Sequence, residues 1–294
     1  MKRILFLALA VLAAAVFAAD PAAELRNPAG RPLIAAHRGC WRLAPENSLS
    51  AIRAAIERGV DIVEIDVRPT KDGELVLMHD DSVDRTTDGK GKLRTLTAAQ
   101  VAKLRLKQGQ GGPNAPVADE GVPTLREVFE LGRGGKIVFN LDKAWPVRDK
   151  AMKLARECGV TGQILMKGSA SPAAVKEWLA AQPAPVLYMP ILGRDTIGEL
   201  DELLRDNPSI PAVELCWTED GEVYTPEVTG KIRVSGRRIW VNTLGENLCG
   251  ARGDVVSLRN PAEGWGYLLE TGGSIFQTDR PAELGEYLSR KGLR

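Results

Sequence analysis

Beyond residue 30 the chain repeats one pattern: a short apolar run, a turn, then a segment whose apolar residues recur every three or four positions. Runs of four to eight residues rich in Val, Ile and Leu read as strands buried on both faces, and the longer spacing reads as helices with one apolar stripe. Eight runs fit the strand description: 33–37, 60–67, 136–142, 163–167, 186–189, 210–216, 237–242 and 274–278. Helices are predicted over 48–58, 124–131, 147–158, 172–181, 195–205, 226–234 and 282–290. Several open with Pro, Asp or a capping hydroxyl. In the first, Leu49, Ile52, Ala55 and Ile56 share a face behind Asn47 or Ser48 as the N-cap. Strands spaced by helices make parallel βαβ units, and about eight such units close into a TIM-type (β/α)8 barrel. The competing arrangement is an open doubly wound sheet, but no Gly-rich phosphate loop follows the first strand.

One interval breaks the rhythm. Residues 69–123 lie between the second strand and its helix and read as a small insertion. A hairpin-like pair, 63–68 and 74–79, is joined at Lys71-Asp72-Gly73, and a short helix is expected over 98–104. An excursion there, on the catalytic face of a barrel, reads as a lid or a substrate-binding element. The Gly, Pro and Asn content of 108–121 predicts a mobile loop.

The first residues stand apart. Met1-Lys2-Arg3 is charged, residues 4–17 are apolar, and Ala18-Ala19 precedes Asp20-Pro21. That order describes a signal peptide over 1–19, leaving 20–294 as one exported domain, periplasmic or secreted. The apolar run is short of the ~20 residues that span a bilayer, so no stable membrane insertion is expected after cleavage. A formal charge of +1 and 5% aromatics, with no basic tract among them, argue against nucleic acid as a partner. The four cysteines include no Cys-x-x-Cys pair, which removes zinc-type spacing, while export leaves both disulfides and free thiols open.

The candidate chemistry gathers at strand ends. His37 and His79 are the only histidines, and each closes an apolar run. Histidine titrates near neutrality and is the usual proton donor and acceptor in hydrolysis, so both are candidate catalytic residues. Glu64 and Asp66 are two apart on a strand and share a face, where burial of both calls for a compensating cation. A hard divalent ion, Mg²⁺ or Ca²⁺, fits oxygen ligands of this kind. Asp142 ends the third strand and is a candidate third ligand. Arg38 offers a bidentate fork to a phosphate, and Gly39 lets the backbone turn. Lys143, Lys167 and Glu214 occupy comparable strand ends, the lysines as candidate substrate contacts. Trp217, Tyr224, Trp240 and Trp265 are candidates for an apolar or sugar-stacking wall.

Taken as an ordered set, these motifs resemble the glycerophosphodiester phosphodiesterase family. The residues are His37-Arg38-Gly39, Pro45-Glu46-Asn47-Ser48, Glu64-Ile65-Asp66, Thr70-Lys71-Asp72-Gly73, Val76-Leu77-Met78-His79-Asp80, Asp84-Arg85-Thr86-Thr87, Pro123-Thr124-Leu125 and Gln277-Thr278-Asp279-Arg280-Pro281. The resemblance runs from about Leu33 to Leu288. It implies a TIM-type barrel that hydrolyses a small-molecule phosphodiester with a divalent metal. His37 and His79 would be the general acid–base pair, Glu64 and Asp66 metal ligands, and Arg38 the phosphate holder. The family usually carries a Glu-x-Lys pair on the third strand, whereas this chain has Asn140-Leu141-Asp142-Lys143. Asp142 is expected to replace that glutamate, with the lysine shifted to Lys143 or its role moved to Lys167. Two other readings remain: a phospholipase or sphingomyelinase-type lipid phosphodiesterase, and a non-catalytic barrel that binds a phosphorylated ligand.

Overall fold

The computed structural model describes residues 20–294, so the leader read at 1–19 lies outside the described residues. The strands are β1 (Leu33–His37), β2 (Ile62–Pro69), β3 (Leu75–Leu77), β4 (Arg105–Lys107), β5 (Val117–Gly121), β6 (Val138–Asp142), β7 (Ile164–Gly168), β8 (Leu187–Leu192), β9 (Ala212–Leu215), β10 (Arg238–Asn242) and β11 (Ile275–Thr278). Eight of them pair in parallel in the order β1-β2-β6-β7-β8-β9-β10-β11, and β11 pairs back onto β1, closing the predicted barrel. Closure leaves no open edge in the main sheet.

The helices are α1 (Pro21–Leu25), α2 (Leu49–Glu57), α3 (Ala98–Val101), α4 (Leu125–Gly132), α5 (Arg148–Cys158), α6 (Pro172–Ala180), α7 (Leu200–Asp206), α8 (Pro226–Val234), α9 (Asp254–Arg259), α10 (Tyr267–Glu270) and α11 (Pro281–Arg290). Local signals start them. Ser48 accepts a bond from Ala51 N, and Thr124 with Glu127 closes a capping box. No helix among the described residues is long and apolar enough to cross a membrane.

The inward faces of the strands explain why the runs lack alternation. Leu33, Ala35, Ile62, Val138, Leu165 and Trp240 belong to one buried cluster with Leu25 of α1, which plugs the lower end. Outward residues such as Ile34, Val63, Ile65 and Phe139 pack in the layer under the helices. Both faces are therefore apolar low in the barrel. One pleat repeat higher, the inward positions become His37, Glu64, Asn140, Lys167, Glu214, Asn242 and Gln277, all buried. That polar layer is where chemistry becomes possible.

Two expectations are corrected. Residues 108–121 are not a plain loop: β5 pairs antiparallel with β4, with Arg105 opposite Gly121 and Lys107 opposite Val117. The hairpin sits over a small separate core that includes Val76, Met78, Val83, Leu93, Val101 and Leu106. Its strands carry polar residues because they lie at the surface, and this hid them from an apolar-run criterion. The stretch between β10 and β11, for which no helix was predicted, holds α9, a π-turn at Ala262–Gly266 and α10. Pro261, Gly264 and Gly266 break its periodicity. Gly264 is needed for packing, since a Cβ there would overlap Ser257 Oγ, which accepts from Trp265 N at 3.0 Å. All four cysteines are free thiols.

Candidate active site

Each histidine is paired with an aspartate through Nδ1. His37 Nδ1 donates to Asp279 Oδ1 at 2.7 Å, and His79 Nδ1 donates to Asp80 Oδ1 at 2.7 Å. A carboxylate on Nδ1 fixes the ring orientation and leaves Nε2 for the substrate. The two settings differ. His37 ends β1 deep in the mouth with its side chain 10% exposed, whereas His79 lies past β3 at the rim with its side chain 35% exposed.

Other residues hold these aspartates in place. Asp279 also accepts Trp41 Nε1 at 2.6 Å, and burial pushes its carboxyl up but His37 beside it outweighs this and holds it below the ordinary range. Hydrogen bonds from Arg85 hold Asp80 well below the usual carboxylate range. Arg85 then reaches Glu46 Oε1 at 2.8 Å, and Glu46 Oε2 accepts from Arg38 Nη1 at 2.9 Å. One chain of charges thus ties the insertion to the loop after β1.

The carboxylates converge as the strand spacing requires. Parallel register sets Glu64 beside His37 and Asn140, and Asp66 beside Asp142. Ligand oxygens of Glu64, Asp66 and Asp142 all lie within 4.8 Å of one another. Burial, then the charge of Asp66, pushes Glu64 up to about 7. Three carboxylates this close, two of them fully buried, suit a hard divalent cation, and the oxygen-only donor set matches magnesium or calcium chemistry. Asn140 adds to the fit: its Oδ1 is buried without a hydrogen bond while its Nδ2 donates to Leu165 O at 3.2 Å. Asn47 clamps Asp66 from both sides, giving Nδ2 to Oδ2 at 2.8 Å and taking Asp66 N at 3.1 Å.

The candidate cations meet the same carboxylates. Arg38 N donates to Glu64 Oε2 at 3.0 Å, and Arg38 Nε lies 3.3 Å from Asp66. Lys143 Nζ is 3.8 Å from Asp66, and Lys167 Nζ is 3.3 Å from Asp142. Burial pushes Asp142 up, but Lys167 and then Lys143 bring it down to about 2. Arg38, Asn47 and Lys143 all adopt positive φ, at 52°, 57° and 57°. Left-handed backbone at three non-glycine residues around one mouth marks strain retained at a site.

Two expected substrate contacts sit differently from their sequence reading. Lys167 is 3% exposed and spans Asp142 and Glu214, so its ammonium is already engaged. Trp240 is not on a rim wall: it is fully buried, an inward residue of β10, and forms the floor under Asn242 and Gln277. Trp217 stacks on Tyr224 at 4.2 Å, and both are core residues, as is Trp265. The sequence reading has no role for the half-buried Trp41, although it sits four residues past the end of β1. In the sequence Asp80, Asp279, Glu46 and Arg85 stand out only as motif members, and Asn47 as a motif member and candidate N-cap. Glu46 and Asn47 lie near His37 in sequence and Asp80 and Arg85 near His79, whereas Asp279 is 242 positions from the His37 that it holds.

The site as a whole is a closed parallel barrel whose mouth carries two histidine–aspartate pairs beside a carboxylate cluster. The chain belongs to the glycerophosphodiester phosphodiesterase family. Residues 37–166 match the model of the glycerophosphoryl diester phosphodiesterase family, and residues 188–288 match a domain of unknown function. A glycerophosphodiester phosphodiesterase from Caldanaerobacter subterraneus subsp. tengcongensis is 45% identical over 114 residues, 38% of this chain and 45% of that relative. The chain's matches span about a third to under half of the length of such curated relatives. Among solved structures, a glycerophosphoryl diester phosphodiesterase from Parabacteroides distasonis aligns over 93% of both chains at 22% identity, with a TM-score of 0.76. A phosphodiesterase from Oleispira antarctica, solved with the product sn-glycerol-3-phosphate, aligns over 88% of this chain and 97% of its own at 20% identity, TM-score 0.64. At these identities the structural likeness establishes the fold.

Proposed function

We propose that this chain is a phosphoric diester hydrolase that splits glycerophosphodiesters into an alcohol and glycerol 3-phosphate, with His37 and His79 as the acid–base pair. The observation that carries this reading is the matched pair of histidine–aspartate contacts flanking three converging carboxylates. With Nδ1 engaged, each imidazole works through Nε2. One takes the proton from the attacking water as its oxygen forms a bond to phosphorus, and the other gives a proton to the departing alkoxide. Glu64, Asp66 and Asp142 are the residues that would hold a divalent cation, Mg²⁺ or Ca²⁺, which supplies charge against the phosphoryl oxygens. Arg38 and Lys143 present cations to the phosphate from the rim. Lys167 lies beneath, balancing the carboxylates and contacting the substrate only from below.

The substrate is a small molecule. The relative solved with sn-glycerol-3-phosphate supports that product by analogy. Export through the leader at 1–19 belongs to the same reading; the secreted form should begin at Asp20, as the intact mass of the mature protein would reveal.

The test of the reaction is glycerol 3-phosphate release from glycerophosphocholine, glycerophosphoethanolamine and glycerophosphoinositol. Release from at least one is expected. Hydrolysis of sphingomyelin or lysophospholipid instead, with none of the three turned over, would replace this reading with the lipid one.

A further inference from the structure

The two ends of the second half of the barrel carry opposite charge. Four turns close its lower end, at residues 26–32, 181–186, 207–211 and 233–237, and none of them contains Asp or Glu. They supply Arg26, Arg233 and Arg237, which line two adjoining surface grooves that meet at Arg237. None of the three has a carboxylate partner among the described residues: Arg26 donates to Ala22 O at 3.0 Å, and Arg237 to Ser235 O and Leu204 O. The acids on this side are engaged elsewhere. Asp61 pairs with Arg31 at 2.5 Å, and Glu24 faces Arg238 at 3.6 Å. Glu270 lines the next groove along with Arg233 but makes no ion pair with it. Val234 stands among the arginines 91% exposed, with exposed Pro28 and Ala29 in the same groove. At the mouth end of this half the loops carry Asp195, Glu219, Asp220, Glu222 and Glu246, of which only Asp220 and Glu222 are paired, with Arg252 and Arg194.

Guanidinium groups without carboxylates keep their charge for an outside anion, and their planar fork fits phosphate oxygens. Cations set around an exposed aliphatic side chain match the surface of an anionic bilayer, where headgroup phosphates meet basic residues and an apolar tip reaches the acyl boundary. The charge separation also sets the orientation, since a negative surface attracts the lower end and repels the acidic rim. The polypeptide enters the fold at that lower end: Asp20 caps α1, and the apolar run 4–17 precedes it in sequence. We propose that the lower end of the barrel docks reversibly on an anionic phospholipid surface through Arg26, Arg233, Arg237 and Val234. In that pose His37 and His79 open away from the bilayer, toward diesters dissolved in water. The docking face is at the opposite end from the reacting groups, so the proposal does not depend on the proposed function.

The test is cosedimentation of the chain from Asp20 onward with vesicles of mixed phosphatidylglycerol and phosphatidylcholine, and with vesicles of phosphatidylcholine alone. Binding is expected to the mixed vesicles only, at low ionic strength, and should vanish near ~1 M salt, where the screening length falls to about 3 Å. Arg26→Gln with Arg233→Gln should weaken the partition about 25-fold, the product of about fivefold for each basic group at an anionic surface. Arg233→Gln alone removes no hydrogen bond and should cost about fivefold, so it carries the test if the double variant fails to fold. Lys90→Gln with Lys92→Gln removes the same charge from the insertion at the mouth end and should leave the partition unchanged. No binding to the mixed vesicles, equal binding to neutral ones, or an equal loss in the lysine variant overturns the docking face. A dimer that the arginine variants dissolve, in place of vesicle binding, also overturns it and gives the face to a second copy of the chain. Binding is read without turnover, so its failure leaves the proposed function standing, and absence of diester hydrolysis leaves the docking standing.

Discussion

The barrel segment from β1 to β7 and the segment from β8 to β11 line one barrel mouth with different chemistry. The first contributes both histidines, Arg38, the three clustered carboxylates and the two lysines. The second contributes Glu214, Asn242, Gln277 and a tryptophan floor, with a single carboxylate among neutral amides. The likeness to known proteins divides in the same place: the glycerophosphoryl diester phosphodiesterase model covers 37–166, and a domain of unknown function covers 188–288. Bond breaking constrains residues to a narrow set of types and distances, whereas holding an alcohol can be done by many arrangements of amides and hydroxyls. Under the proposed function the reacting groups lie in the first segment, while the second lines the rest of the mouth. One residue crosses the division, since Asp279, just past β11, orients His37 of β1.

The sharpest way to strain that division is to remove the histidines. His37→Ala and His79→Ala should each lower turnover by ~10²–10⁴-fold, and by similar factors for every alcohol tested. Steady-state kinetics on two diesters checks both parts. A histidine variant that mainly changed the preference between alcohols would break the assignment. The floor of the barrel should behave oppositely. Leu25→Ala removes a fully buried side chain from the plug at α1 and should cost about 2–5 kcal/mol of stability while kcat/KM of the folded fraction is kept. Denaturant unfolding and kinetics on one preparation read the two quantities.

Asp279→Asn tests the crossing residue. It should lower kcat by about 10–100-fold, on the scale of losing a carboxylate behind a working histidine, with little change in KM. Asp254 gives a smaller, pH-dependent effect. Burial pushes its carboxyl up from 3.8 to about 6, although it accepts bonds from Thr243, Trp265, Thr278 and Asp279 N. A raised native value means that the folded chain binds the proton more tightly than the unfolded one. The associated stability is fully present below pH 3.8 and is lost as pH rises through about 6. The wild type should therefore lose stability relative to Asp254→Asn between those limits, as paired melting curves would record. A difference that grew in favour of the wild type with rising pH would reverse this account. The exposed pair of Lys176 with Asp206 should matter least, with Lys176→Ala changing stability by about 1 kcal/mol or less.

The barrel was legible because its strands are apolar on both faces low in the barrel, so Leu33–Ala36 and Ile164–Met166 stand out as unbroken runs. The β4–β5 hairpin was hidden for the converse reason: Val117–Gly121 lies at the surface and carries polar residues that pattern cannot tell from a loop. Within the site, Glu64 and Asp66 could be placed on one face by spacing alone. Partners that meet through the closed barrel had no such signal, as with Asp279 and His37, 242 positions apart. Tryptophans were misleading. A large aromatic ring serves as well for packing as for binding, and Trp217, Trp240 and Trp265 are all used inside.

The central claim is that the histidine pair acts on a phosphodiester held over a cation bound by the first segment's carboxylates. The most direct measurement is glycerol 3-phosphate release by metal-stripped wild type and Asp66→Asn during titration with Mg²⁺ and Ca²⁺. The account predicts no release without metal, saturable recovery in the wild type, and recovery in Asp66→Asn that is absent or shifted to much higher metal concentration. Full release by the stripped wild type, or identical titrations for both proteins, would contradict it.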